Sequence, residues 1–433
     1  MGADRAGTSL SGHGRRFAFA RLLSGAVLSQ ALLSAASFAV GLILIRRSSD
    51  VQYGSYILAT SAILLLVSLQ NAFCNPPLAS RIGRLDRDGR ADLIGGLHRE
   101  LQRVLWIAAG VAVAVTLALW RLRWLDGHSA PLVLATLAAG FAMLNREYFR
   151  MVLFAHRRPH DVLRTDVLYA ALTLIGVFVA TGTQVPAVAM VFMLSLAAMA
   201  GTLALSGALT RHEPWTRPAA PPVLREIAPI ALWSTAGAAI HWTFSQGYIY
   251  LVAGTLDVAA VAAIAATRLL MMPVNLLSTG IGSLMLPLAS GWLRQHGGAV
   301  LLRRLSLFAL ALGALALGYF AILWLARDWV FEVVLKKDPA QRDTLLLLWG
   351  ALALVMVMRD QLVYLLAAQG RFRVMTLLTL ACATTALAAS YWGMRRWGVT
   401  GALIGLLLGE VLNLCGIVAL SLRKAPTADL RLA

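Results

Sequence analysis

The sequence has 433 residues, of which 59% are hydrophobic and 13% are charged, and its formal net charge is +18 at pH 7. About half of the residues in a soluble globular domain are apolar, so this composition excludes an ordinary soluble protein and indicates that most of the chain lies in lipid. Basic residues gather in cytoplasmic loops beside anionic headgroups, so the positive charge predicts contact with membrane lipids and requires no nucleic acid.

Apolar segments follow one another along the chain, each close to the roughly 20 residues that a helix needs to cross a bilayer. Strands of a membrane barrel alternate in polarity and need only about ten residues, so the segments predict an all-α polytopic membrane protein with about twelve transmembrane helices. The predicted helices are 22 to 45, 52 to 74, 104 to 120, 131 to 153, 165 to 182, 186 to 208, 228 to 252, 258 to 288, 305 to 326, 343 to 368, 373 to 393 and 398 to 421.

The first helix follows arginines, as a signal peptide does, but it continues without interruption to Arg46 and is predicted to remain uncleaved. Arginines are denser in every second loop, including 81 to 103, 157 to 164 and 211 to 225, than in the loops between them. The positive-inside rule therefore places both termini in the cytoplasm.

Two halves of the chain resemble each other. Residues 50 to 61, DVQYGSYILATS, match residues 257 to 268, DVAAVAAIAATR, at an offset of 207 positions (257 minus 50). Arg146-Glu147 matches Arg359-Asp360 at 213 positions (359 minus 146). Parallel repeats in a membrane protein are typical of transporters with two bundles and a substrate path between them.

The repeat predicts two pseudo-symmetric six-helix lobes arranged in sequence. The N-terminal lobe is residues 22–209 and the C-terminal lobe is residues 228–422. Three cytoplasmic segments complete the chain, namely an N-terminal segment 1–21, an inter-lobe loop 210–227 and a tail 423–433.

The loops are too short for a nucleotide-binding domain, and the lysines, at 336, 337 and 424, lie in no phosphate-binding glycine loop. The cysteines are isolated, so neither a metal nor another cofactor is predicted. A membrane polysaccharide polymerase or ligase is the enzymatic alternative, but the acids of the outer loop 327 to 342 alternate with basic residues as on a solvated surface. We therefore expect no enzymatic activity.

Gly83, Asp86, Arg87, Gly89 and Arg90 resemble the G-x-x-x-D-R-x-G-R signature of major facilitator transporters after helix two. The first spacing is one residue short. The long central loop common in that family is also absent from the sequence, so this alternative is disfavoured.

Four stretches along the chain carry a different resemblance. They are LILIRRSSDVQYGSYILATS, REYFRMVLFAHRRP, AGTLDVAAVAAIAATRLLMMPVNLLSTGIGSLMLPLAS, and AAQGRFRVMTLL followed by WGVTGALIGLLLGEVL. Together they resemble the polysaccharide transporter family of the multidrug, oligosaccharidyl-lipid and polysaccharide (MOP) exporter superfamily, which includes O-antigen-type flippases.

This resemblance implies a V of two lobes with an alternating cavity in a bacterial inner membrane. It implies transport of an undecaprenyl-diphosphate-linked oligosaccharide from the inner to the outer leaflet for surface polysaccharide synthesis, beside other polysaccharide assembly proteins. The alternative is a multidrug or organic-cation antiporter. Drug-exporting relatives often use an acid in helix one or seven, and residues 22 to 45 and 228 to 252 contain none.

Charged residues inside a membrane usually face a cavity or a partner. Arg268 lies about 15 Å along helix eight, near the bilayer midplane. It shares a helical stripe with Asn275 and Thr279, and Pro273 is expected to kink the helix between them. We predict that the guanidinium binds the diphosphate; the alternative is an arginine held by backbone carbonyls.

Helix seven presents polar residues at His241, Trp242, Ser245 and Tyr248, which suit sugar rings and hydroxyls. Gln30 in helix one is a further candidate for the same cavity. The alternatives are a satisfied structural histidine and small polar residues that serve helix packing.

A second group of charges lies toward the cytoplasmic third of helices four and ten. The sequence predicts either a gate or a headgroup entry site there, or a fixed packing network, formed by Arg146, Glu147, Arg150, Arg359 and Asp360. Glu410 in helix twelve is expected either to pair with an arginine or to carry protons.

Overall fold

The computed structural model describes residues 12–82, 85–127, 129–215, 223–339 and 341–422. Helices occupy most of these residues, and the described part contains no strand. The helices are α1 Gly12–Arg47, α2 Asp50–Arg81, α3 Arg87–Arg121, α4 Ser129–Ala155, α5 Pro159–Ala180, α6 Pro186–Thr210, α7 Val223–Thr255, α8 Val258–Leu269, α9 Met272–Leu325, α10 Arg327–Trp329, a π-helical segment Val330–Leu335, α11 Arg342–Ala368, α12 Phe372–Trp397 and α13 Val399–Leu422.

The predicted fold class is confirmed. Ten helices are long and apolar enough to cross a membrane, and α8 with the first part of α9 forms a bent eleventh span. Helix α7 has 33 residues, and it is less apolar because it includes His241, Ser245 and Gln246. The described residues thus hold ten or eleven candidate spans against the predicted twelve, and α7 is the predicted span outside that count. Helix α9 runs from the end of the bent span into the next one, and at Gly297 its backbone leaves the helical region with φ of 77°.

The expected kink in helix eight is present, two residues earlier than Pro273. The axis bends by 58° between α8 and α9, and Pro273 lies in the first turn of α9. Proline is tolerated in a first turn because its missing N–H has no intrahelical partner there. The break therefore places Arg268 in the last turn of one helix and Asn275 in the first turn of the next.

Two connections between the predicted spans are helical. The shared face of Leu93, Leu97 and Leu101 allowed an interfacial helix in the second connection, whereas the outer loop 327 to 342 was expected to be a solvated surface. Helix α3 begins at Arg87, where Asp86 accepts a hydrogen bond from the backbone N–H of Gly89 at 3.0 Å. The helix therefore includes most of the connection between the second and third predicted spans. The outer loop 327 to 342 forms α10 and the π-helical segment, which ends at Lys336 with φ of 53°. A polar cap explains the start of α3, whereas α10 and the π-helical segment have no side-chain cap.

Helices α1 to α6 pack mainly against one another, and α7, α9, α11, α12 and α13 form the second group. Helix α2 crosses between the groups and packs against α7 and α8. Both α2 and α8 begin at a polar cap, where Ser49 and Asp257 accept a backbone N–H, although the repeat matches Asp257 with Asp50. The exact limits of the two lobes stay predictions.

Helices α12 and α13 approach closely through glycines. A Cβ atom on Gly393 would lie 2.7 Å from the carbonyl oxygen of Gly401, and one on Gly401 would meet the backbone of Gly393. We expect Gly401→Ala to destabilise the protein by about 1–3 kcal/mol, because backbone atoms cannot move aside. Thermal unfolding in detergent measures this loss. Gly318→Ala in α9 is the control, since nothing lies within 4 Å of its added methyl group. Equal unfolding temperatures for the two variants would contradict the prediction.

Candidate functional site

A cavity of about 410 Å³ lies between the two lobes. Helices α1, α2, α4, α5 and α6 contribute one side, and α7, α8 and α9 contribute the other. No carboxylate lines it among the described residues, and Arg268 is its one charged lining residue. The polar lining residues are Gln30, Ser34, Ser37, Tyr53, Tyr56, Thr60, Ser61, Tyr169, Gln246, Tyr248, Arg268 and Asn275.

The Arg268 side chain is held from one side of the cavity by neutral groups. Its Nη1 donates to Oε1 of Gln246 at 2.8 Å and to the hydroxyl of Tyr248 at 3.3 Å. Its guanidinium carbon lies 5.5 Å from the ring centroid of Trp349. No acidic residue in the described ranges forms an ion pair with it. Arg268 is therefore a half-buried positive charge in an apolar wall, oriented by its neighbours and not neutralised by them.

A smaller cavity of about 20 Å³ lies beside Arg268 and has room for about one water molecule. Ser245, Arg268, Asn275 and Glu410 line it together with apolar residues. Glu410 is thus on the far side of a water-sized space from Arg268, and it does not line the main cavity.

The structure brings together four of the eight predicted substrate residues in the main cavity, namely Gln30, Tyr248, Arg268 and Asn275. Ser245 lines the smaller cavity only. His241 is exposed and Trp242 is half-buried, and neither lines these two cavities. The side chain of Thr279 lies outside the part of the chain that the structure describes. The binding roles of all eight remain predictions.

The charges in the N-terminal lobe form a buried cluster around Asp166 of α5. Asp166 is fully buried, and it pairs with Arg146 and accepts from the hydroxyl of Ser29. Nε of Arg150 lies 3.2 Å from Oδ2 of Asp166, and its Nη1 lies 3.2 Å from Oε1 of Glu147. Two arginines therefore balance two carboxylates.

This cluster reaches the main cavity through an aromatic ring. The guanidinium carbon of Arg146 lies 3.9 Å from the centroid of the Tyr169 ring, and Tyr169 lines the cavity. Cation–π contact at this distance holds the ring in one orientation. Arg146 does not line the cavity itself, and it contacts a residue that does, Tyr169.

The C-terminal lobe has a corresponding cluster around Arg359 of α11. Its Nη1 lies 2.5 Å from Oε2 of Glu410, and its Nη2 lies 2.7 Å from Oδ1 of Asp360. Ser278 donates to Oδ2 of Asp360 at 3.4 Å. Of the two alternatives for Glu410, the structure shows the pair with an arginine.

In the described part of the chain, the ion pairs of these two clusters join residues of the same lobe. They form a fixed packing network in each lobe in this conformation. A gate between the lobes would need ion pairs that cross the boundary, so the gate or entry role of Arg146, Glu147, Arg150, Arg359 and Asp360 stays a prediction for another conformation.

Sequence reasoning missed Asp166 and three of the four cavity tyrosines, Tyr53, Tyr56 and Tyr169. Asp166 is the one acidic residue in the fifth predicted span, and an acid inside a membrane is a signal in itself. Tyr53 and Tyr56 lie in the repeated segment. The match between the halves indicates the pseudo-symmetry, but it does not indicate that these two side chains line a cavity.

No protein family model matches the chain, and no curated protein matches it. Solved structures do match over nearly its whole length. The chain superposes on an inward-facing multidrug resistance transporter of the MATE family and MOP superfamily with a TM-score of 0.71, at 15% identity, over 90% of this chain and 93% of that one.

Two other MOP-type structures superpose equally broadly. The lipid II flippase MurJ in an inward closed conformation gives a TM-score of 0.71 at 10% identity, over 92% of this chain and 89% of that one. A MOP superfamily transporter from Pyrococcus furiosus, described as having a binding pocket of reversed polarity, gives 0.64 at 15% identity, over 93% and 94%. The chain therefore has the two-lobe fold of MOP transporters, and the major facilitator alternative does not fit this fold.

Proposed function

We propose that this protein is an exporter that moves an anionic, lipid-linked oligosaccharide across a bacterial inner membrane by alternating access. The observation that carries the proposal is Arg268, an unpaired positive charge in a cavity that no described carboxylate lines. A forked guanidinium matches the oxygens of a diphosphate, whereas an organic cation would meet repulsion there.

The remainder of the cavity suits sugars. Tyrosine rings at Tyr53, Tyr56, Tyr169 and Tyr248 offer apolar faces and hydroxyl groups, and the volume of about 410 Å³ is in the range of ordinary ligand pockets. The lipid tail would remain in the bilayer. With both termini in the cytoplasm, a membrane potential negative inside would favour outward movement of a doubly charged headgroup by about 4.6 kcal/mol per 100 mV.

The decisive experiment follows a radiolabelled lipid-linked oligosaccharide in a strain that lacks the gene. We expect the labelled lipid to accumulate in the inner leaflet and to become accessible from outside after complementation with the wild-type chain. Normal outward movement without the protein would contradict the proposal, and would favour a polymerase or ligase that acts after translocation.

A multidrug or organic-cation antiporter is the second candidate, because transporters with that activity share the fold. Such an antiporter needs an acid that is accessible from the cavity, and Glu410, beside the smaller cavity, is the nearest candidate. It predicts drug sensitivity of the deletion strain with unchanged surface glycan. The flippase predicts the opposite result in both assays.

Alternating access needs contacts that break when the cavity opens to the other side. At the predicted outer end, Nη2 of Arg46 in α1 donates to the carbonyl oxygen of Val333 at 2.5 Å, and Nε of Arg46 donates to the carbonyl oxygen of Val334. Lys337 pairs with Asp50 at 2.7 Å. We call these five residues the outer latch; they join the N-terminal lobe to the π-helical segment, whose last carbonyls lack helical partners.

We expect Arg46→Ala to raise the outward-open population about tenfold, because charge-assisted hydrogen bonds contribute about 1.5–3 kcal/mol. The measurement is the rate at which a membrane-impermeant maleimide labels Ser37→Cys in the cavity from outside, in a chain whose three native cysteines are replaced by alanine. Lys336→Asn is the matched control, since it removes a neighbouring charge outside the latch and asparagine tolerates the left-handed backbone. Equal labelling rates in the two variants would refute the latch.

A further inference from the structure

A second concave site lies on the N-terminal lobe, at the predicted cytoplasmic end and away from the cavity between the lobes. It has a volume of about 440 Å³ and lies where α2 ends, α3 begins, α4 connects to α5 and α6 ends. Its charged and titratable lining residues are Arg90, His156, Arg157, Arg158, Arg211, His212 and Glu213. We call this site the basic pocket.

Part of its charge is balanced by acids. Glu213 is buried, and its Oε1 accepts from Nε of Arg90 at 2.9 Å and lies 3.3 Å from Nε2 of His156. Arg158 lies 3.4 Å from Asp161. The buried acid thus fixes the floor of the pocket, while Arg158 is tied to its rim.

Two arginines of the pocket are not balanced. Arg157 and Arg211 are exposed, and neither forms an ion pair with any acid in the described ranges. These two unpaired guanidinium groups lie beside a charge-balanced floor. Together they supply about the charge that a phosphate monoester needs, and each offers forked hydrogen-bond donors.

Arg157 occupies a backbone position that favours glycine, as do Arg123, Lys336 and Gln341 elsewhere among the described residues. Helix α4 ends in a Schellman motif, in which the N–H of Arg157 donates to the carbonyl of Phe154 at 2.9 Å and that of Arg158 to Leu153 at 3.0 Å. Arg157 is therefore left-handed, with φ of 57°. Glycine adopts this conformation without strain, and arginine does not.

The other lobe provides an internal comparison. Adding the repeat offset of 213 residues to Arg157 gives Gly370, which ends α11 with φ of 73°. The N–H of Gly370 donates to Ala367 and that of Arg371 to Leu366, both at 3.0 Å, in the same motif. The same turn is thus made with glycine in one lobe and with a strained arginine in the other.

Cytoplasmic arginines also orient a membrane protein and offset the negative ends of helix dipoles. Both effects depend on charge near the end of a helix, and Arg158 already supplies it one residue further on. Neither effect requires an arginine at this left-handed position, nor a buried acid that shapes a concave floor.

We propose that the basic pocket is a binding site for a phosphate group, supplied either by an anionic phospholipid of the inner leaflet or by a soluble phosphate. The proposal concerns a surface of one lobe and does not depend on the transported substrate. A left-handed arginine and a second unpaired arginine line one concave site, and strained backbone clusters at functional sites.

The test uses the purified full-length protein and the variants Arg157→Gly and Arg211→Gln. In one arm, inorganic phosphate is added in detergent at constant ionic strength and the unfolding temperature is measured. In the other arm, nanodiscs of phosphatidylcholine are compared with nanodiscs that also contain phosphatidylglycerol. A ligand that binds the folded state raises the unfolding temperature, and we expect a rise of about 2–4 °C for the wild type in at least one arm.

Arg157→Gly separates binding from folding, because it relieves strain. We expect its unfolding temperature without ligand to equal or exceed that of the wild type, while its response to phosphate is lost. The control Arg294→Gln with Arg303→Gln removes two exposed charges that flank Gly297 at the same predicted end, and it should keep the full response.

The two arms identify the source of the phosphate. A response to inorganic phosphate supports a soluble ligand, and a response to phosphatidylglycerol alone supports a lipid headgroup. The proposal is overturned if neither arm responds, if Arg157→Gly responds as the wild type does, or if the control loses as much as Arg157→Gly.

Discussion

Replacing Arg268 with alanine is expected to weaken binding of the lipid-linked diphosphate by about 10-fold to 150-fold. The range corresponds to the roughly 1.5–3 kcal/mol of a hydrogen bond to a charged group. The loss should lie toward the upper end of this range, because no other charged residue among the described ones lines the cavity. Leaflet accessibility of the radiolabelled lipid should fall in proportion when the substrate is scarce.

Arg268→Lys separates charge from geometry. Lysine keeps the positive charge but cannot hold Gln246, Tyr248 and two phosphate oxygens in one plane, so we expect an intermediate loss. Binding of the radiolabelled lipid to purified protein in detergent measures both variants.

Arg304→Ala is the matched control for Arg268→Ala. Its guanidinium carbon lies 5.1 Å from the ring centroid of Trp292, much as Arg268 lies beside Trp349, but it lies outside the cavity. Wild-type binding by Arg268→Ala would remove the main support for an anionic substrate. A cation antiporter predicts this result, and it also predicts loss of drug export in Glu410→Gln.

Much of the fold was predictable, because a bilayer allows only helices and closed barrels to span it. Spans of about 20 apolar residues and a repeated segment fix the number of helices and their grouping, because a helix is the one open-ended structure that satisfies its own backbone in hydrocarbon. The bend before Pro273 was predictable because proline disrupts a continuing helix. The helical first turns of α3 were predictable from the shared face of Leu93 and Leu97, whereas the start at Arg87 depends on the cap at Asp86.

The candidate site was less predictable, because its contacts join distant residues. Arg268 was predicted as a site residue from its position along one helix, and that position can be read from the local sequence. Its partners Gln246 and Tyr248 lie on α7, and Trp349 lies on α11, so helix packing decides which of them reach it. His241 lies seven residues before Tyr248, on the same face of α7, and yet it lines neither cavity.

Breaking the buried pair between Arg359 and Glu410 is expected to cause the largest loss of stability. Their side chains are 7% and 2% exposed, so neither charge is well hydrated once its partner is removed. Removing one partner of a buried ion pair costs about 3–5 kcal/mol. We expect this loss for Arg359→Ala, which leaves Glu410 with no described partner.

The two single substitutions should differ. Glu410→Ala leaves Arg359 paired with Asp360, whose side chain is 36% exposed, so its loss should be smaller. Unfolding of the purified variants in detergent gives both values. Replacement of both residues by methionine should recover most of the loss, because a buried pair is often no more stable than apolar residues of similar volume.

The double substitution also decides what Glu410 does. If the pair only stabilises the C-terminal lobe, the protein with methionine at both positions folds and restores leaflet accessibility of the labelled lipid. If Glu410 carries protons for transport, the same protein folds but leaves the lipid in the inner leaflet. Stability equal to the wild type in Arg359→Ala would contradict the structural account, since a carboxylate with 2% exposure would then lie without a partner at no cost. Measuring stability and transport on one set of variants therefore separates a structural ion pair from a coupling site.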